Sequence, residues 1–230
     1  MPLPFQPFDK TKALRIYFTN MPHWRQDGCT YFVTYRLDDS IPLRNLEFWE
    51  DEKEHWMASE GVDLSENETW KDGFSKLDEH RQRTFLKAFN SQLNEYLDEG
   101  RGSCVLRDPR CAEIVLSGWQ YFDSKHYDLH DIVVMPNHVH LMLTPYPTHE
   151  LEKILQSRKG QSSREINRMM GRQGRLWQKH SYDHIVRNGN EAITFSEYIA
   201  NNPKWAKLRK GEFQHRSFDW QSKFAEEFGE

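Results

Sequence analysis

Apolar positions along the chain change period several times, and the changes mark out its elements. Residues 29–37 are rich in aromatic and β-branched side chains, which predicts a strand. Residues 44–60 and 76–98 carry apolar residues at helical spacing, in the second case Phe85, Leu86, Phe89, Leu93 and Leu97. Residues 61–67 form a polar connection between them. Residues 112–122 set Ile114, Leu116 and Trp119 against polar or small neighbours, which predicts another strand. After a turn at 124–127 comes an apolar run over 132–144 that is broken at Met135-Pro136-Asn137. Residues 148–170 read as a helix with Leu151, Ile154, Leu155, Ile166, Met169 and Met170 as apolar positions. Arg158, Lys159, Arg164 and Arg168 take its polar side, and Gly160 is a point where it can break. A last helix begins near Asn190 or Glu191 and ends at Pro203. Residues 1–28 are polar, and Pro2, Pro4, Pro7 and Pro22 discourage regular structure there.

This order predicts an α+β fold, an antiparallel sheet with helices packed on one face. A chain of 230 residues suits one domain with an elaboration. The expected division is an N-terminal extension over 1–28, a main domain over 29–210 with a helical insertion at 43–100, and a polar tail over 211–230.

Charge sharpens this division. The formal net charge of −4 conceals two opposed blocks. Residues 45–100 hold six Lys/Arg against fifteen Asp/Glu, whereas residues 151–210 hold thirteen against five. An acidic insertion and a basic distal half suit a protein that presents one side to phosphates and repels them from the other. Cys29, Cys104 and Cys111 form no Cys-x-x-Cys pair, and their odd number fits a reducing cytoplasm. Residues 1–11 lack the apolar core of a signal peptide, and no apolar run reaches the ~18 residues of a membrane span.

Two short patterns carry candidate chemistry. In Met135-Pro136-Asn137-His138-Val139-His140-Leu141 the histidines are two apart. On a strand both therefore face one side, about 7 Å apart, while Val139 and Leu141 face the other. Two imidazoles so placed can share a divalent ion with a third ligand from elsewhere; otherwise they are structural histidines bonded to neighbours. No Asp and His follow closely, as a zinc hydrolase would require, and no second His-x-Ser or His-x-Thr marks a two-histidine phosphoesterase, His215-Arg216-Ser217 lying in the polar tail. In Tyr198-Ile199-Ala200-Asn201-Asn202-Pro203 a phenol and an amide lie one helical turn apart on one face. They can offer a nucleophile and a neutral oxygen ligand, or simply end a helix before proline. Tyr182 is a rival nucleophile, but Val186 stands where its polar partner would be.

Taken together, Met135 to His140, Leu176-Trp177-Gln178, Tyr182-Asp183-His184-Ile185-Val186-Arg187, Tyr198 and Asn202-Pro203 resemble the REP-associated tyrosine transposases of the HUH superfamily, relatives of the single-strand insertion-sequence transposases. Residues 31–37 look like that family's first strand, and the resemblance runs from about Pro22 to Leu208. It implies a ferredoxin-like HUH domain, His138, His140 and Asn202 as metal ligands, Tyr198 as nucleophile, and Mg²⁺ or Mn²⁺ as cofactor. It further implies nicking and joining of single-stranded or hairpin DNA through a 5′-phosphotyrosine, by a monomer or homodimer. Arg158, Lys159, Arg164, Arg168, Arg172, Arg175 and Lys179 are then the expected phosphate contacts. Trp177 is either a stacking platform for an unpaired base or a core anchor. Asp183 and Arg187 read as a helix-surface ion pair. A hairpin-binding module without catalysis and an unrelated metal hydrolase are the competing functions.

Overall fold

The computed structural model describes residues 5–18, 22–65 and 68–220. A hairpin of β1 (Arg15–Phe18) and β2 (Pro22–Arg25) precedes β3 (Tyr31–Arg36). Three helices follow: α1 (Leu43–Ser59), α2 (Trp70–Lys76) and α3 (Glu79–Asp98). After them come α4 (Pro109–Gln120), β4 (Tyr127–Val134), β5 (His138–Pro145), α5 (Leu151–Met170), β6 (Tyr182–Ile185), α6 (Gly189–Trp205) and β7 (Gln214–Arg216).

The main sheet has the order β6-β3-β5-β4-β7 with every pairing antiparallel. Without β7, the chain path β3-α4-β4-β5-α5-β6 is the β-α-β-β-α-β plan of a ferredoxin-like fold, with α1 to α3 inserted after its first strand. The register decides what each face carries. Tyr31, Val33 and Tyr35 pair with Leu143, Leu141 and Val139, and these side chains form one core with α4 and α5 through Val115, Trp119, Ile154 and Ile166. On the opposite face Phe32, Thr34 and Arg36 pair with Met142, His140 and His138. There Ala192 and Ile199 of α6 pack on Phe32, Val133 and Met142. The helices α4 and α5 thus share one face, and α6 lies over the histidines. The insertion has a small core of its own around Met57, Trp70, Phe74 and Phe85.

Several expectations need correction. Residues 112–120 are helical, not extended, and 121–122 form a turn. Asp108 accepts a hydrogen bond from the Arg110 N–H, Pro109 starts the helix, and Cys111, Ala112, Val115, Leu116 and Trp119 are buried at helical spacing. Helix α5 runs unbroken through Gly160 and ends at Gly171, whose φ of 62° suits a glycine C-cap. Residues 1–28 hold a hairpin despite their prolines, and buried Phe5 packs on Trp220. Within 211–220, β7 pairs with β4, and the Trp220 indole N–H donates to Asp131 at 2.6 Å. Asp183 lies on β6, not on a helix. It accepts from Arg25 and bonds His23 at 2.5 Å, while Arg187 stacks over Trp24. Parts of the readings for 1–28, 61–67 and 211–230 fall at 1–4, 19–21, 66–67 and 221–230, outside the described residues. The three cysteines are free, and among the described residues no helix is long and apolar enough to cross a membrane.

Candidate metal and tyrosine site

His138 and His140 stand at the start of β5, fully buried, with ring centroids 4.5 Å apart. Each ring is held through Nδ1. Asn137 Oδ1 lies 2.7 Å from His138 Nδ1, and Thr34 Oγ1 lies 2.7 Å from His140 Nδ1. An amide oxygen can only accept, so His138 carries its proton on Nδ1 and leaves Nε2 as a lone pair. Both Nε2 atoms are buried without a hydrogen-bond partner.

They are not alone in this. Asp98 Oδ1, both amide atoms of Asn202 and the Tyr198 hydroxyl are likewise buried and unpartnered. These groups converge. Asp98 Oδ1 is 3.8 Å from His138 Nε2, and the ligand atoms of Asp98, His138 and His140 lie within 4.8 Å of one another. The Asn202 amide faces Asp98 and His138, and the Tyr198 ring meets the His140 ring edge-on at 5.1 Å. Buried polar atoms seldom go unpaired, so a cluster of them around one point is the signature of a missing partner shared by all. Two imidazole nitrogens, a carboxylate and an amide oxygen fit a divalent cation.

The elements explain the convergence. Strand alternation puts both histidines under α6, and helical spacing stacks Tyr198 over Asn202. Asn188 caps α6 by accepting from the Glu191 N–H, which sets where its turns fall. Asp98 is the residue that sequence reasoning misses. It is the last residue of α3, one of fifteen acids in residues 45–100, and no spacing links it to His138. Its position comes from Asn137, whose Nδ2 donates to the carbonyls of Leu97 and Arg101 at 3.2 and 3.1 Å. One side chain therefore fixes both a histidine tautomer and the end of α3.

Burial governs the protonation of these groups. It pushes the His138 imidazole down to about 3 and the His140 imidazole well below its ordinary value, so both stay neutral. It raises the Asp98 carboxyl to about 6. Burial, and then the nearby Asp98 charge, hold the Tyr198 phenol well above the ordinary tyrosine value. Such a phenol ionises only if positive charge is brought beside it.

The expected DNA contacts divide. Arg158 is a correction, and Trp177 takes the second of its two readings, the core anchor. The Arg158 guanidinium donates to the Gly118 carbonyl and stacks on Phe122 at 3.9 Å, and Trp177 is buried with its N–H on Ser162. Both complete the core under α5, so neither is free to meet a strand. Lys159 spends its ammonium on the carbonyls of Gln178 and Lys179. Arg164, Arg168, Arg175 and Lys179 are exposed and Arg172 is half-buried. Because α5 packs opposite to α6, its exposed cations lie across the sheet from the histidines.

Residues 108–202 match the family described as IS200-like transposase. Among curated proteins none matches the chain. Among solved structures, that of a REP-associated tyrosine transposase bound to a REP hairpin is similar at 13% identity and a TM-score of 0.41, covering 84% of this chain and 77% of that one. A crystal structure of a candidate transposase from Deinococcus radiodurans R1 is similar at 15% identity and a TM-score of 0.29, over 77% and 93%. His138, His140, Tyr198 and Asn202 all lie within the stretch that matches the IS200-like transposase family, and Asp98 lies outside it.

Proposed function

We propose that the protein nicks and rejoins single-stranded or hairpin DNA, with Tyr198 as nucleophile in a metal-dependent site. The observation that carries this reading is the shared point toward which His138, His140, Asp98, Asn202 and Tyr198 turn unpartnered, buried polar atoms. His138, His140, Asp98 and Asn202 are the groups that would hold a divalent cation. With two nitrogen and two oxygen donors they favour Mn²⁺ over Mg²⁺, which prefers an all-oxygen shell with retained waters. When bound, the cation supplies charge neutralisation at the scissile phosphate and lowers the cost of ionising the phenol.

The residues of the chain do the rest. Tyr198 Oη attacks the phosphorus, the bond to the 3′ oxygen breaks, and a 3′-hydroxyl leaves while the 5′ phosphate stays on the tyrosine. The link conserves the phosphodiester, so reversal by a 3′-hydroxyl rejoins a strand without an external energy source. Tyr198 stands beside histidines of its own chain, so one subunit holds the whole constellation. Thr34 and Asn137 keep the imidazoles oriented. The IS200-like match over 108–202 supports transposase chemistry as the broader class.

The test is an assay on labelled single-stranded hairpin DNA with Mn²⁺ or Mg²⁺, resolved on a denaturing gel. The wild type should give a metal-dependent band shifted by attached protein. Tyr198→Phe should lower nicking by at least ~10³-fold while retaining strand binding. Cleavage without an adduct in Tyr198→Phe would overturn the reading in favour of activated water.

A further inference from the structure

Beside the histidines, between the insertion and the main sheet, lies a cavity of about 290 Å³. Its apolar wall comes from α1 and α3 through Leu46, Trp49, Phe89 and Leu93, and its floor from Thr34 and Arg36 of β3. Thr34 is the residue that holds His140, and Arg36 is the cross-strand partner of His138. The cavity wall is therefore made in part by residues adjoining the cluster, Thr34, Arg36 and Leu97, and not by the histidines themselves.

Arg36 is the unusual feature. Its side chain is only 7% exposed, and its Nη1 donates to the Leu37 carbonyl and to Ser40 Oγ, both neutral. The nearby carboxylate, Asp38, pairs instead with Arg175 at 3.6 Å. Within the lining, Glu50 is taken by Lys53 and the Trp70 N–H. Asp38 is the carboxylate that acts on this guanidinium and it is shared with Arg175, so a further anion reaching Arg36 when the site is in use would offset the cost of its burial. An aromatic slot with a cation at its floor matches the two halves of a nucleotide, and the volume lies near the lower end of the ~300–1,000 Å³ usual for small-ligand sites. Asn90 and Gln178 bring amides to the lining, groups able to pair with a base edge.

We propose that this cavity is a nucleotide pocket, in which one unpaired base of the strand is held against Trp49 and Phe89 while its phosphate contacts Arg36. The inference rests on the DNA-nicking reading and gives the insertion a role in it: choosing which nucleotide stands next to the reacting phosphate. Trp49 already stacks edge-on against Tyr96 at 5.4 Å, so its ring is held in place before a base arrives.

The test uses the full chain with metal removed by a chelator, so that no cleavage intervenes. A short single strand carrying photoreactive iodouracil is irradiated with the protein, and the attachment site is mapped by peptide mass spectrometry. Attachment to Trp49 or Phe89 is the expected result, with Arg36→Gln weakening binding of the same strand about tenfold. Attachment confined to other aromatic residues, together with binding by Arg36→Gln within about twofold of wild type, would overturn the proposal. If Arg36→Gln fails to fold, the attachment map on the wild type decides alone. Neither measurement needs Tyr198, so loss of nicking with attachment at Trp49 or Phe89 would sink the catalytic reading and leave the pocket standing. Nicking without such attachment would do the reverse.

Discussion

At His138 the outcome turns on a single hydrogen bond. Asn137 Oδ1 accepts from the Nδ1 N–H and leaves the Nε2 lone pair facing Asp98 and Asn202, the orientation that the proposed metal site needs. Thr34 Oγ1 bonds the corresponding Nδ1 of His140 and so orients its ring. Replacing Thr34 with Val should lower Mn²⁺ affinity by ~10–100-fold, read by titration calorimetry, because the ring loses its orienting partner. An unchanged affinity would mean that packing against Phe32 and Tyr198 suffices. Asp98 sets the pH dependence of metal binding. Its carboxyl must be ionised to coordinate, and burial raises it to about 6, whereas His138 stays neutral down to about 3. Mn²⁺ affinity should therefore fall as pH drops through about 6, where a proton competes at Asp98. In Asp98→Asn the affinity should be at least ~10-fold lower at neutral pH and the dependence near that pH should vanish. A dependence that persists in the variant would assign it to another group.

At the scale of elements, the insertion is tied to the catalytic strand by Asn137. Its amide joins the last turn of α3 and the following residues to the turn before β5, and so delivers Asp98. Asn137→Ala leaves two buried carbonyls and a histidine nitrogen without their partner, at a cost of about 1–3 kcal/mol. Urea unfolding should report that loss, and amide exchange over 97–101 should speed up. Protection unchanged there would show that the core around Phe85 positions α3 by itself. The same scale shows what the sequence made legible. Alternation in residues 31–37 and 138–143 and the helical spacing of Tyr198 and Asn202 were readable, because each pattern is local and periodic. Helix α4 was misread because Ile114 and Leu116 alternate over three residues, while the decisive signal was the cap at Asp108 and the longer spacing from Cys111 to Trp119. Asp98 was not readable at all: its place depends on two carbonyls meeting an asparagine forty residues away in sequence.

Across the whole molecule, the buried histidines make the metal-free fold sensitive to acid. Burial depresses His138 to about 3 and His130 to about 4, and holds His140 well below the ordinary value of 6.5. Depressed histidines stabilise the fold above their unfolded value, and that stability is lost as pH falls through it. Asp98, raised from 3.8 to about 6, works in the opposite sense, favouring the fold at low pH. Below the ordinary histidine value the unfolded chain holds protons at these histidines that the fold refuses, and Asp98 offsets part of that. Stability therefore declines with falling pH below the ordinary histidine value, giving a positive slope against pH. Urea titrations of the chelated protein at successive pH values should show this slope, and a flat profile would contradict the burial of these rings. Charge is likewise a property of the whole. The cations of α5 lie across the sheet from Tyr198, so a strand that meets both must pass round an edge of the sheet. The proposed chemistry turns on one atom, Tyr198 Oη, and isolating the protein–DNA adduct formed with Mn²⁺ and locating the modified residue by mass spectrometry tests it. A 5′-phosphotyrosine on Tyr198 is the predicted result. An adduct on Tyr182, or strand cleavage that leaves every tyrosine unmodified, would contradict it.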